Sequence, residues 1–193
     1  MKICVFGAAS SKIDKSYIDA VEKLGEEMAK RGHQLVFGAG SNGLMGAVAR
    51  GVKRGGGKIT GIIPSFFRDE KIEGIYEHCD DLIFTTTMAE RITTMSNMAD
   101  AFITVPGGVG TFEEFFEVLT LKQLARHTKP IAIFDVNGYY TELDKFLKIS
   151  VEEKFINQEC MDLYDYSDNA SEILDYIEND NQTARDVHDL KLG

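Results

Sequence analysis

The sequence predicts a doubly wound α/β fold, with one parallel sheet and helices on both of its faces. Short apolar runs alternate with segments whose apolar residues recur at helical spacing, and short links join them. This alternation requires a parallel sheet that is covered on both sides. A chain of 193 residues suits one domain. We assign residues 1–180 to a single Rossmann-like nucleotide-binding domain, and residues 181–193 to a polar, acidic tail that should be frayed.

The elements follow from the spacing of apolar residues and from the residues that stop each run. The first predicted helix ends with the usual signals. Its last turn is basic, with Lys30 and Arg31, and Gly32 stops the helix. The predicted strands are 2–6, 34–37, 58–63, 82–84, 101–105 and 129–134. The predicted helices start near Ser16, Leu44, Met88, Thr111 and Tyr140, and a short one covers 170–177. Residues 66–80 have no clean period and predict a loop with a short helical piece.

The second strand is followed by a G-x-G-x-x-G pattern at residues 38–43. A dinucleotide site is disfavoured, because the pattern does not follow the first strand and the next strand ends in Pro64 and Ser65 rather than in an acidic residue for a ribose diol. Two interpretations stay open for this loop. It faces a phosphate, or it is a tightly packed connection between a strand and a helix.

A second glycine loop, Pro106-Gly107-Gly108-Val109-Gly110-Thr111, joins an apolar run to a helical pattern. Glycines let backbone N–H groups approach a ligand, and a helix N-terminus adds unpaired donors and partial positive charge, so a phosphate is the natural guest. The alternative needs no ligand: Thr111 and Glu114 have the spacing of a capping box.

The loops that follow three predicted strands lie at strand carboxyl ends, where doubly wound folds bind ligands. They are 7–11, 38–43 and 106–111, and we expect them to converge on one crevice. From the first two loops, Ser10, Gly40 and Gly43 are expected to contact the substrate.

Two charged features can supply chemistry there. Arg91 shares a helical stripe with Met88 and Met95, so its guanidinium reaches the crevice to hold a phosphate or a carboxylate, or else snorkels to solvent or pairs with Glu90 or Asp100. Glu113 and Glu114 follow the phosphate loop. A carboxylate beside a phosphate is useful when positive charge develops nearby, as in cleavage of a ribosyl bond.

Composition narrows the class of protein. The net charge is −10, with no basic stripe, which disfavours nucleic acid as a partner. No apolar run is long enough for a membrane span, and the N-terminus does not read as a signal peptide, so a cytoplasmic protein is expected. The three cysteines are far apart, and the four histidines show no ligand spacing, so neither a disulfide framework nor a metal site is expected.

Two adjoining segments of the sequence resemble a known family. PGGVGTFEE, preceded by MAERITTMSNMADAFITV, is similar to the Lonely Guy family of cytokinin riboside 5′-monophosphate phosphoribohydrolases. The Lonely Guy family belongs to a superfamily that has the signature PGGxGTxxE. Older members of this superfamily are labelled lysine decarboxylases. The resemblance extends through GAGSNGLMG and LARHTKPIAIFDVNGYYTELDKFL, and so covers most of the chain.

The resemblance implies hydrolysis of the N-glycosidic bond of AMP, or of an N6-modified cytokinin riboside monophosphate, to free base and ribose 5-phosphate. No cofactor or metal is implied, and a homodimer is expected. Arg91 and Glu114 match the catalytic pair of the family. Substrate contacts are implied for Met88, Gly107, Gly108, Val109, Gly110, Thr111, Glu113 and Thr120.

The chain departs from the family pattern at two positions, where Ala89 replaces a frequent histidine and Ile92 replaces a frequent lysine. Loss of that lysine removes a cation near the site and bears on the preference for cytokinin more than on the reaction. The alternative function is a non-catalytic carrier of a nucleotide or of the molybdenum cofactor, because the same superfamily contains such proteins.

Overall fold

Residues 1–190 are described by the structure, a computed structural model, and they form a parallel sheet covered on both faces. The strands are β1 Lys2–Phe6, β2 Gln34–Phe37, β3 Ile59–Pro64, β4 Asp81–Thr85, β5 Ala101–Thr104, β6 Ile131–Phe134 and β7 Asp165–Ser167. The helices are α1 Lys15–Lys30, α2 Gly43–Arg54, α3 Ser65–Asp69, α4 Met88–Met98, α5 Val109–Gln123, α6 Thr141–Glu152, α7 Ala170–Asn179 and α8 Val187–Leu190. Short 3-10 turns lie at Val136–Gly138 and Gln158–Leu163.

The strand order is β4-β3-β2-β1-β5-β6-β7, and each neighbouring pair is parallel. The chain therefore winds outward from β1 in one direction, then returns to β5 and winds outward in the other. The doubly wound fold class is confirmed. The reversal of strand order between β1 and β5 is the point at which such sheets bind ligands, beyond the strand carboxyl ends.

Two apolar layers hold the helices on the sheet. One face packs against α1, α2 and α7, through side chains such as Leu24 and Val48. The other face packs against α4, α5 and α6, with Met95, Phe115 and Leu147 in the layer. The central strands are buried on both faces, which explains why they are almost wholly apolar in sequence.

Strand β7 is a finding that the apolar pattern does not predict. Its three residues Asp165, Tyr166 and Ser167 are only partly buried, and they pair with β6 alone at the edge of the sheet. An edge strand needs no apolar run, since it packs on one neighbour. The six predicted strands are confirmed, with shifts of one or two residues at their ends.

The end of the chain has two parts. Residues 181–186 have no regular structure and are exposed. The following helix α8 places Leu190, which is fully buried, against Cys160 and Leu163. The last three residues of the expected tail, 191–193, lie outside the described residues. No helix among residues 1–190 is long and apolar enough to cross a membrane.

Candidate active site

Helix α5 begins at Val109, two residues earlier than its pattern predicts. Gly108 is the N-cap, and no side chain caps the helix. The capping box is therefore wrong: Thr111 lies inside the first turn, and Glu114 turns away to another partner. Among residues 1–190, the N–H groups of Val109, Gly110 and Thr111 have no hydrogen-bond acceptor, so the helix N-terminus keeps its donors.

The glycines of this loop divide into two kinds. A Cβ added to Gly107 would overlap the side chain of Thr111, so Gly107 is required by packing. A Cβ on Gly108 or Gly110 would meet nothing within 4 Å, and neither residue has a positive φ. Neither packing nor backbone conformation requires glycine at these two positions. The open space beside both residues leaves the backbone accessible to a ligand.

Two tyrosines after β6 fix this loop from the other side. Tyr139 donates its hydroxyl to the carbonyl of Gly107 at 2.7 Å, and Tyr140 donates to the carbonyl of Val105 at 2.9 Å. The backbone N–H of Tyr140 in turn donates to Asp135 at 2.6 Å. The loop is thus held in place before any ligand arrives. The sequence pattern predicts Tyr140 only as the start of a helix and predicts no role for Tyr139.

Replacing Tyr140 with phenylalanine tests this support. Tyr140 is 1% exposed, whereas Tyr139 is 45% exposed. We expect Tyr140→Phe to lower the free energy of unfolding by about 1–3 kcal/mol, because the Val105 carbonyl is left buried without its donor. Tyr139→Phe is the matched control and should cost less, since water can replace its hydroxyl. Urea denaturation measures both, and equal losses would contradict the buried role of Tyr140.

The Arg91 side chain pairs with Glu114 across the crevice. Nη1 of Arg91 donates to Oε1 of Glu114 at 2.8 Å, and the two side chains are 13% and 8% exposed. The two competing interpretations of Arg91 are wrong, because its side chain is only partly exposed and is paired with Glu114, and Glu90 and Asp100 have other partners. Glu90 accepts from the N–H of Thr86, and Asp100 accepts from the N–H of Lys2.

Burial raises the pKa of Glu114 to about 7, even though the positive charge and hydrogen bond of Arg91 lower it. The negative charges of Glu113 and Glu73 raise the pKa further. A carboxyl group with a pKa near neutrality can exchange a proton at physiological pH, which suits a general acid or base. Within residues 1–190, Oε2 of Glu114 makes no hydrogen bond.

The G-x-G-x-x-G loop at residues 38–43 is a packed connection. The N–H groups of Leu44 and Met45, at the start of α2, donate to the carbonyl of Ala8 at 2.8 and 3.2 Å. Gly43 has a φ of +57°, and a Cβ there would overlap the carbonyls of Ala8 and Ser10. A Cβ on Gly40 would overlap the side chain of Glu73. The tightly packed interpretation of this loop is confirmed, because the N–H groups of Leu44 and Met45 already have an acceptor within the chain.

The other residues that are expected to contact the substrate lie at three different places. Ser10 lines a cavity of about 300 Å³ together with Tyr17, Gly107, Gly108 and Tyr139. Met88 is the first residue of α4 and partly buried, one turn before Arg91. Thr120 is exposed on α5, roughly 14 Å from Thr111 at the rise of an α-helix. Within one chain, Thr120 is not brought to the loop. Among residues 1–190, no group of three or more His, Cys, Asp or Glu could hold a metal ion.

A family model described as "Possible lysine decarboxylase" matches residues 45–177. The chain is 39% identical, over 177 residues, to cytokinin riboside 5′-monophosphate phosphoribohydrolase LOG2 of Arabidopsis thaliana, covering 92% of this chain and 82% of the relative. It is 38% identical to the probable cytokinin riboside 5′-monophosphate phosphoribohydrolase LOGL6 of Oryza sativa subsp. japonica, over 92% of this chain and 70% of that protein. The chain belongs to the Lonely Guy family. The family match includes α4, β5 and α5, and so the Arg91–Glu114 pair.

Solved structures show that this Lonely Guy family chain shares its fold with proteins of another description. The molybdenum cofactor carrier protein of Chlamydomonas reinhardtii aligns with a TM-score of 0.70, at 21% identity, over 92% of this chain and 95% of the carrier. At that identity the likeness concerns the fold alone.

Proposed function

We propose that this chain hydrolyses the N-glycosidic bond of a purine nucleoside 5′-monophosphate, such as AMP or an N6-modified cytokinin riboside monophosphate. The products are the free base and ribose 5-phosphate. The observation that carries the proposal is the buried Arg91–Glu114 pair, which lies next to a helix N-terminus with unpaired donors. The names of the curated relatives support the same reaction.

The phosphate would bind at the start of α5. The N–H groups of Val109, Gly110 and Thr111 would donate to its oxygens, and the helix dipole would favour its negative charge. The open space beside Gly108 and Gly110 would let the phosphate approach the backbone. These contacts fix one end of the substrate without any cation from the protein.

Glu114 lies one turn of helix further on, where the ribose of a substrate held in this way would lie. As the bond from C1′ to the base breaks, its electron pair leaves with the base, which takes up a proton, and the ribose gains oxocarbenium character. The ionised Glu114 would stabilise this positive charge and take a proton from the water that attacks C1′. Arg91 would hold the carboxylate in position and keep its pKa from rising further.

A carrier without turnover is the second candidate. A carrier needs the phosphate loop, but it has no use for a nearly buried carboxyl group whose pKa is close to 7 beside that loop. This carboxyl group favours hydrolysis.

We also propose a cytoplasmic homodimer. Free cysteines at three separate places suit a reducing compartment, and the exposed Val109 and Phe116 of α5 give this helix an apolar surface for a second copy.

A panel of nucleotides tests the reaction. AMP and isopentenyl-AMP should release free base, whereas adenosine and ATP should release at least tenfold less, because the cradle is built for one terminal phosphate. Chromatography of the released base gives the rates. Equal rates on adenosine and AMP would contradict the phosphate cradle. Absence of hydrolysis of any nucleotide, with a pterin copurifying, would establish the carrier instead.

A further inference from the structure

The sheet ends in two edge strands that differ in how open their backbone is. Strand β7 has three residues, all partly buried, and it pairs with β6 alone. Strand β4 has five residues and pairs with β3 alone, in continuous register and without a bulge. A longer, regular edge strand presents a row of N–H and C=O groups that another strand can bind. The β4 edge is therefore the more open of the two.

The outer edge of β4 carries no partner from the described part of the chain. Between residues 1 and 190, the backbone of β4 makes its hydrogen bonds within the sheet alone. The segment 80–87 also lacks proline and lysine, which commonly prevent edge strands from pairing. It contains instead Ile83, Phe84 and three threonines, which are residue types that favour strands.

Two large apolar side chains lie beside this open edge. Leu82 and Phe84 are 39% and 41% exposed, and both project from the same face of the sheet because they are two residues apart. Ile83 projects from the opposite face and is partly buried in the apolar layer that contains Met95. An exposed apolar surface next to an open edge indicates a contact with another protein.

The charges around β4 are divided between its two ends. Asp80 and Asp81 lie at its beginning, whereas Arg68 lies over its other end, with Cζ 4.8 Å from the centre of the Phe84 ring. Two copies of this strand that ran in the same direction would bring their aspartates together. In opposite directions, the acidic end of each strand would meet Arg68 of the other copy. The charges therefore favour an antiparallel partner with the same sequence.

The ion pairs that these groups already make are weak. Nε of Arg68 lies 3.1 Å from Oδ1 of its neighbour Asp69, and both side chains are more than half exposed. Exposed pairs of this kind contribute about 0–1 kcal/mol. Asp81 makes no ion pair with any of residues 1–190. Arg68 and Asp81 are therefore available to the charges of a second copy.

We propose that β4 is the contact surface for a second copy of this chain, which pairs its own β4 antiparallel about a two-fold axis at Ile83. Both copies present the same surface, as a two-fold contact requires. Leu82 of each copy lies opposite Phe84 of the other, where an apolar cross-strand pair stabilises the sheet. The two seven-stranded sheets become one continuous sheet.

This contact differs from the homodimer that we propose through α5. Strand β4 is at one edge of the sheet, whereas α5 packs on one of its faces. One chain can use both surfaces at once and then assembles beyond a dimer. The test must therefore detect the β4 contact itself rather than the number of copies, and its result does not depend on the α5 contact.

The test is a disulfide across the two-fold axis. In Ile83→Cys the two thiols are on directly opposed residues, whose Cα atoms would lie about 4.5–5.5 Å apart, within the range for a disulfide. Oxidation should convert most of this variant to a covalent dimer on a non-reducing gel. A mixture of Leu82→Cys and Phe84→Cys should also form a covalent dimer, because these residues face each other in the neighbouring pair.

Asp81→Cys is the matched control on the same strand. Its two thiols would lie roughly 14 Å apart along the strand, too far for a disulfide, so it should stay monomeric on the gel. The wild type controls for Cys79, which is partly buried, and for the buried Cys4 and Cys160. Equal cross-linking of Ile83→Cys and Asp81→Cys would overturn the proposal. So would the absence of a covalent dimer both in Ile83→Cys and in the mixture.

Arg68→Glu, added to Ile83→Cys, tests the role of charge. It makes both ends of the strand acidic, so the rate of cross-linking should fall by about tenfold or more. Lys23→Glu makes the same change of charge at an exposed position on α1 and should leave the rate of Ile83→Cys unchanged. If Arg68→Glu cross-links as fast as Ile83→Cys alone, the antiparallel arrangement is wrong.

Discussion

Glu114→Gln is expected to reduce the release of base from AMP by about a hundredfold to ten-thousandfold, which is the range for loss of a positioned general acid or base. The amide keeps the shape of the side chain and can still accept from Arg91, so the fold should be retained. It cannot take a proton from water or stabilise an oxocarbenium ion with a negative charge. Chromatography of the released adenine measures the effect.

Glu117→Gln is the control, because Glu117 is one turn further along α5 and outside the site. It should keep wild-type turnover.

The pH dependence of the reaction gives a second check. Glu114 ionises as the pH rises through about 7, because burial raises the pKa of its carboxyl group against the opposing charge and hydrogen bond of Arg91. The kcat/KM of the wild type should therefore increase with pH through 7, and the residual rate of Glu114→Gln should not. A rate for Glu114→Gln near that of the wild type would refute the assignment.

Gly110→Ala should weaken binding of the phosphate without harming the fold. Gly110 is the second residue of α5, and a Cβ there meets no atom within 4 Å. Helical Cβ atoms tilt toward the N-terminus, so the new methyl group would project into the phosphate cradle. We expect kcat/KM for AMP to fall at least tenfold. The melting temperature should hold or rise, because alanine stabilises a helix by about 1 kcal/mol relative to glycine.

Adenosine provides the control for Gly110→Ala, since it lacks the phosphate. Its slow hydrolysis should be the same in the variant and in the wild type. If Gly110→Ala lowers the rates on AMP and adenosine equally, the methyl group disturbs the catalytic pair and the phosphate cradle is elsewhere. If AMP is hydrolysed at the wild-type rate, the N-terminus of α5 does not hold the phosphate.

The sequence predicts the fold well, because a doubly wound sheet is specified by local patterns. Central strands are buried on both faces and so read as apolar runs, and α1 shows both a helical stripe and a glycine stop. The three-residue edge strand β7 has neither signal. The predicted start of α5 is wrong, because the pattern favours Thr111 as the N-cap, whereas the N-cap is Gly108 and no side chain caps the helix.

The candidate site was predicted only as far as its motifs reach. Arg91 and Glu114 are recognisable from a helical stripe and a family signature, and the structure pairs them. Glu73 is not, because it lies in an irregular segment whose position over Gly40 depends on long-range backbone hydrogen bonds. The sequence also does not show that the loop at 38–43 is a packed connection. The N–H groups at the start of α2 donate to Ala8, which is more than thirty residues away in sequence.

That acceptor has a consequence for how the protein could evolve. At the start of α2, the carbonyl oxygen of Ala8 accepts hydrogen bonds from two backbone N–H groups. In a dinucleotide enzyme, N–H groups at a helix start bind the pyrophosphate. Of the three glycines of the G-x-G-x-x-G pattern, only Gly43 lies against the Ala8 carbonyl, whereas Gly38 and Gly40 lie against Arg91 and Glu73. A pattern search would mistake the motif for a cofactor site. Remodelling of the 8–10 segment would release two amide donors. A hydrolase of monophosphates would thereby gain the beginnings of a second anion site, without any change to the helix itself.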